Sequence, residues 1–213
     1  MNITKYGHCC LLIEIEGRRI LTDPGSFSTG YEHLTEIDIV LITHEHGDHC
    51  HTESVERILE KNPHAVVVCN ASVQKLLCDL GITATILEGE AQAVVADIAL
   101  QAFDGKHAEI YEEYGQVQNT GYLIENDFFY PGDAYTVPSV PVKILALPVA
   151  GPWCKVSEAL EYGYAVNPKT AIPVHDAVLS EQGKGVVYGF FARMLKEKDI
   201  EFVTLEQALP IEF

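Results

Sequence analysis

The segment Thr43-His44-Glu45-His46-Gly47-Asp48-His49 has the form HxHxDH and continues an apolar run, Ile37 to Thr43 (IDIVLIT), that reads as a buried strand. Residues two apart do not share a helix face, so these imidazoles and the carboxylate converge only from a tight loop at the strand's end. Imidazole nitrogen and carboxylate oxygen suit a borderline divalent ion such as zinc, and a loop at the mouth of a sheet leaves coordination positions open to water. Three of the nine histidines fall within these six residues, 44 to 49. One loop cannot supply two metal shells, and other predicted strands end in further ligand types. His107 lies after the strand Asp97 to Phe103, Asp133 after Phe128 to Tyr130, and His175 after Thr170 to Val174. Carboxyl ends of strands are where α/β sheets place their ligands.

Outward from that loop, the pattern alternates strand-rich and strand-helix stretches, twice. Cys10 to Ile15 and Arg19 to Thr22 flank Glu16-Gly17-Arg18 as a hairpin. Thr52 is placed to cap a helix carrying Val55, Ile58 and Leu59, which Asn62-Pro63 ends. Ala65 to Cys69 reads as a strand, and Val73, Leu76, Leu77 and Leu80 form a helical stripe closed by Gly81. Strands resume from about Thr83 to Tyr130, with a hairpin of Gly121 to Ile124 and Phe128 to Tyr130. The last third predicts a strand over Lys143 to Val149, a helix over Ser157 to Val166, a strand over Thr170 to Val174, and a helix over Gly185 to Lys198 carrying Val186, Val187, Phe190, Met194 and Leu195. Two mixed sheets packed face to face with helices outside, a four-layer αββα sandwich, would bury all these strands. The spacing shows no linker and no repeat, so residues 1–213 read as one domain.

Composition bounds the function. With 14 Lys+Arg against 31 Asp+Glu the formal charge is −17, which disfavours nucleic-acid backbones and anionic membranes as partners. The first residues lack the pattern of a secretory signal, and no run is long enough to span a bilayer. Six cysteines without CxxC spacing read as reduced and mostly core-filling, which points to the cytoplasm. Nothing in the sequence fixes an oligomeric state.

At this level the chain resembles the metallo-β-lactamase-fold metallohydrolases, in a short branch similar to the ascorbate-6-phosphate lactonases. The resemblance rests on Tyr6-Gly7-His8, Leu21-Thr22-Asp23-Pro24-Gly25, Thr43 to His49, Gly105-Lys106-His107, Asn119 to Ile124, Pro131-Gly132-Asp133-Ala134 and Ile172 to His175. It implies the αββα sandwich, with His44, His46 and His107 holding one metal, Asp48, His49 and His175 a second, and Asp133 bridging them. Where cysteine-bearing zinc β-lactamases would have Cys near the bridging position this chain has Asp133, and where flavodiiron proteins use Glu it has His46. Both departures favour hydrolysis outside antibiotic or di-iron chemistry. The phosphate-handling lactonases are longer, so their substrate does not carry over.

The expected cofactor is a pair of divalent ions, zinc first, with manganese or iron as alternatives. Such a pair lowers the pKa of shared water toward neutrality and polarises the scissile group. Asp48 is then placed to orient the nucleophile or take its proton, and His8 to donate a proton to the leaving group or bind substrate, unless it is only a strand residue. Asp23 either accepts the free N–H of a ligand histidine or forms a turn. Trp153 and Lys155 either line the entrance as an apolar platform with a cation or belong to core and rim. Cys50 reads as structural, and His33, His51 and His64 as loop or helix-start residues. The leading reading is a hydrolase of a small ester, lactone or amide-like bond, the substrate including an anion drawn by the metals. Two alternatives are a phosphodiesterase acting on a small cyclic phosphodiester or RNA, and a non-catalytic metal-binding protein that retains the fold.

Overall fold

In the computed structural model, which describes all 213 residues, the chain begins with antiparallel strands β1 (Asn2–Lys5), β2 (Leu11–Ile15) and β3 (Arg18–Thr22). Ile15 pairs with Arg18, leaving Glu16 and Gly17 as a two-residue loop at φ +52° and +79°. Positive φ at both positions matches the hairpin's turn to the strands' own twist. There follow β4 (Ile39–Ile42), α1 (Thr52–Lys61), β5 (Val66–Cys69), α2 (Ala71–Cys78) and β6 (Thr85–Ile86). The second part holds β7 (Gln92–Val95), β8 (Ile98–Lys106), β9 (Gln118–Ile124), β10 (Phe128–Tyr130), β11 (Ile144–Pro148), α3 (Val156–Val166), β12 (Thr170–Val174), α4 (Glu181–Lys196), β13 (Glu201–Phe202) and β14 (Ile211–Glu212).

Two seven-stranded mixed sheets result, in the orders β14-β1-β2-β3-β4-β5-β6 and β13-β12-β11-β10-β9-β8-β7. Their facing sides share one apolar layer, in which Leu11, Ile13, Ile39, Leu41 and Val68 meet Leu100, Tyr122, Ile124, Phe128, Ala146 and Ile172. Each sheet buries its other side as well: Val40, Ile42 and Val67 under Val55, Ile58, Val73 and Leu77, and Leu123, Phe129, Leu145 and Leu147 under Ala159, Leu160, Phe191 and Leu195. Burial on both faces explains why Ile39 to Ile42 is apolar without alternation. This is the predicted four-layer αββα sandwich.

Local differences have local causes. His51, not Thr52, occupies the N-cap of α1, and its Nδ1 lies 2.8 Å from Ser54 Oγ. Helix α4 starts at Glu181 rather than Gly185, because Ser180 Oγ accepts the Gly183 N–H at 3.1 Å and caps it. Its buried face carries Phe191 and Leu195, while Val186 and Phe190 are exposed. In α2, Val73 and Leu77 are buried and Leu76 is exposed, as is Leu80 in the turn beyond it. Apolar neighbours at i and i+1 satisfy the helical period equally well, and the docking surface selects between them. Gly81, at φ +74°, closes α2 as expected, with the Ile82 N–H donating to Leu77 O.

Strands β3 and β4 run parallel, as do β10, β11 and β12, and β8 shares the direction of β10 because both are antiparallel to β9. The residues following β3, β4, β8, β10 and β12 therefore leave the sandwich at one edge.

Candidate metal centre

Asp23, fully buried just after β3, organises the HxHxDH loop. Its Oδ1 accepts the Thr43 N–H at 2.8 Å, and its Oδ2 accepts the Thr43 hydroxyl at 2.8 Å, His49 Nδ1 at 2.7 Å and the Tyr130 hydroxyl at 2.9 Å. The Thr43 oxygen lies 2.9 Å from His44 Nδ1, and Ala108 O lies 2.7 Å from His107 Nδ1. Each of these partners accepts a proton from Nδ1, which leaves the Nε2 lone pair of neutral His44 and His107 free, and that of His49 once a cation displaces its second proton. A carboxylate at position 23 thus does what the histidine-orienting reading expects. Glycine is required where the loops touch. A Cβ on Gly25 would overlap the Asp48 carbonyl, and one on Gly132, at φ +65°, would overlap Asn119 Oδ1 and stand 2.8 Å from Thr43 Cβ.

The free nitrogens converge on Asp133, which is buried. Asp133 Oδ1 lies 3.2 Å from His49 Nε2, and Oδ2 lies 2.9 Å from His175 Nε2, 3.3 Å from His107 Nε2 and 3.9 Å from His44 Nε2. Two donor groups flank it: His44, His46 and His107 on one side, and His8, Asp48, His49 and His175 on the other, the donor atoms within each group lying within 4.8 Å of one another. His8 Nε2, His44 Nε2, His49 Nε2, both nitrogens of His175 and Asp133 Oδ1 are buried without a hydrogen-bond partner. Orphaned buried donors of this chemistry fit a divalent ion. His175 itself holds a left-handed φ of +60°, which a non-glycine residue adopts at a cost, and its N–H donates to His8 O at 3.1 Å.

Charge follows burial. Desolvation, helped by neighbouring imidazoles, keeps His44 well below the usual histidine range and also lowers His46. Burial opposes a charge on His49, but Asp133 and Asp23 hold its imidazole well above that range. Burial would likewise raise both carboxyls, yet the histidines facing Asp133 keep it ionised, as His8 and His49 do for Asp48. In this arrangement the His49 proton stands where a cation would between two carboxylates.

His8 differs. It is fully buried, its Nδ1 accepts the Ala177 N–H at 3.2 Å, and its Nε2 faces Asp48 Oδ2 at 3.5 Å. With Nδ1 occupied as an acceptor, the neutral ring carries its proton on Nε2. Burial pushes its pKa down to about 4.

A cavity of about 500 Å³ opens over the cluster, lined by His46, Gly47, Asp48, His107, Asp133 and His175 together with Ile110, Tyr114, Gly115, Pro152 and Trp153. Every residue expected to hold metal is therefore brought to one place, with His8 alongside. Lys155 is not; it is exposed at the N-cap of α3, outside the lining. Trp153 is buried, and its Nε1–H donates to Asp133 Oδ2 at 3.1 Å, a contact that composition could not reveal. Cys9, buried against His49 and Asp133 with its thiol pushed up to about 12 by burial, is a further neighbour that sequence reasoning missed, as are Asn119, which accepts the Asp133 N–H at 2.9 Å, and Tyr114 on the rim. The available signals were the adjacency of Cys9 to Gly7-His8 and the place of Asn119 at the head of the Asn119 to Ile124 stretch. Cys50 is buried in the core under α1, all cysteines are unpaired, and no helix is long and apolar enough to cross a membrane.

The fold and the converged histidines and carboxylates define a metal-dependent hydrolase of the metallo-β-lactamase fold that binds divalent metal. Residues 2–175 match the family described as the beta-lactamase superfamily domain, and the chain belongs to that superfamily. It is 34% identical over 218 residues to Protein Rv0786c of Mycobacterium tuberculosis, spanning 100% of both chains. It is 45% identical over 80 residues, 34% of this chain and 33% of the relative, to a UPF0173 metal-dependent hydrolase of Flavobacterium johnsoniae. Igni18, a metallo hydrolase from Ignicoccus hospitalis, shares the fold with a TM-score of 0.79 at 18% identity, over 100% of this chain and 98% of its own.

Proposed function

We propose that this chain is a dinuclear metallohydrolase, zinc-loaded, that cleaves an ester, lactone or amide-like bond in a small molecule. The observation that carries this reading is Asp133, whose two oxygens face imidazoles of both donor groups. In this reading His44, His46 and His107 hold one ion, Asp48, His49 and His175 the other, and Asp133 reaches both. Two divalent ions there would supply a solvent nucleophile at neutral pH and withdraw charge from the scissile oxygen.

The chain's own residues do the rest. Asp48, ionised and open to the cavity, orients the attacking water by accepting its hydrogen bond. His8 turns its Nε2 toward Asp48 Oδ2 at 3.5 Å, beyond a formed hydrogen bond, where its ring dipole biases the orientation of that carboxylate. In this reading a neutral His8 acts as a positioning group beside Asp48 rather than as the proton donor to the leaving group. Trp153, donating to Asp133, restrains the shared carboxylate from the opposite wall. A reducing, cytoplasmic setting suits the unpaired thiols.

Elemental analysis coupled to ester hydrolysis tests the reading. The expected result is about two divalent ions per chain, with turnover of p-nitrophenyl hexanoate that is lost in Asp133→Ala. Less than about one ion per chain, or full activity in that variant, rejects it.

A further inference from the structure

We propose that the cleft selects an uncharged substrate with an apolar acyl or alkyl group and discriminates against one carrying a distal phosphate or carboxylate. The proposal deepens the hydrolase reading and rests on it for which bond reacts; the preference itself concerns the walls.

Apart from the donor residues, the lining consists of Ile110, Tyr114, Gly115, Pro152 and Trp153, with no Lys or Arg among them. Lys106 and Lys155, adjacent in sequence to wall residues, are exposed and stand outside the lining. Tyr114, part of the lining, is 73% exposed at the rim. Large aromatic surface left in water at a cleft mouth favours an apolar group of the substrate. The loop that carries Ile110 and Tyr114 also bears Glu109, Glu112 and Glu113, all exposed and none paired with a basic side chain. Bound dications would offset Asp48 and Asp133 and take the reacting oxygen. The rest of the substrate would meet apolar walls under an acidic rim. A distal anion there would be desolvated without a partner and repelled on approach. The sequence left room for an anionic substrate attracted by the metals; the walls now argue for a neutral one.

Trp153 is the only tryptophan and contacts Asp133, so its emission reports on the cleft without turnover. Hexanamide and its ω-carboxylate analogue, adipic acid monoamide, should be titrated into metal-loaded and metal-free protein at low ionic strength. The expected result is saturable change with hexanamide at a Kd at least ~10-fold below that of the analogue, since each buried methylene is worth up to ~4-fold. Equal or tighter binding of the carboxylate, or no saturable change with either, overturns the proposal. In parallel, kcat/KM for p-nitrophenyl hexanoate should exceed that for p-nitrophenyl hydrogen adipate by at least ~10-fold, and Tyr114→Arg should shrink the ratio below ~3-fold by lowering KM for the adipate. An unchanged ratio in that variant also overturns it. If hexanamide binds preferentially while neither ester is cleaved, the hydrolase reading fails and the preference stands. If turnover is intact but the anionic ester is favoured, only the preference fails.

Discussion

His44, His49 and His107 on one hand and His8 on the other are the same residue type within one cleft, yet they are set to opposite chemistry. At the first three, Nδ1 meets an acceptor: the Thr43 hydroxyl, Asp23 and Ala108 O. At His8, Nδ1 meets a donor, the Ala177 N–H. The proton position inferred from these partners turns three rings into lone-pair donors toward an incoming cation and leaves the fourth with its N–H on Nε2, facing Asp48 at 3.5 Å. What an imidazole does in a site is decided by what touches its other nitrogen.

The comparison can be broken most severely at its centre. Asp133→Ala removes the carboxylate that both donor groups face, and turnover should fall by at least ~10³-fold, with metal content dropping to one ion or fewer, read by single-turnover assay and elemental analysis. Asp23→Ala attacks the orienting side alone. It frees His49 and leaves the Thr43 N–H and hydroxyl without their buried acceptor, while Tyr130 keeps Cys9 O at 2.7 Å, so metal affinity should weaken by ~10–100-fold, with a loss of ~2–4 kcal/mol in urea unfolding. Unaltered metal affinity in that variant would mean that His49 needs no partner.

Two smaller effects address His8. His8→Ala should lower kcat by ~10-fold while both ions are retained, and His8→Gln, which restores an N–H donor, should recover most of that loss. Loss of an ion in His8→Ala would make His8 a ligand and erase the contrast with the other three. The last effect is thermodynamic. A histidine held at about 4 when folded and near 6.5 when unfolded binds its proton in the unfolded chain first. The stability it contributes is complete above pH 6.5, drains as pH falls, and is gone below about 4. His44 and His46 act in the same direction. His49, raised above its usual range, contributes fully below 6.5 and loses its contribution as pH rises through its folded value, so it adds no slope in this window. Metal-free protein should therefore lose up to ~1.4 kcal/mol per pH unit through His8 between 6.5 and about 4, with His44 and His46 steepening the loss below 6.5, and His8→Gln should flatten the curve.

Much of the site was legible because metal-binding loops announce themselves locally. HxHxDH follows a strand directly, and His107, Asp133 and His175 each sit just past one, so recognising strand ends also picked out the donor side chains that the fold brings together. The helix faces were not legible to the same degree. Phe190 and Phe191 satisfy one period equally, and only the position of β13, on whose Phe202 the Phe191 ring stacks at 5.9 Å, selects the second. Trp153 stayed ambiguous and Tyr114 went unnoticed because a lone aromatic carries no spacing to interpret.

By itself the sequence determined which donor atoms exist and that strands deliver them to turns, since both depend on neighbours along the chain. Only the tertiary structure decided their protonation and surroundings. His8 takes its Nδ1 partner from Ala177, 169 residues away, and Asp23 reaches His49 across 26. Parallel strand order brings such pairs to one edge of the sandwich. A proton's position on an imidazole, or the absence of a cation from a cleft wall, is set by contacts across that edge and leaves no local trace.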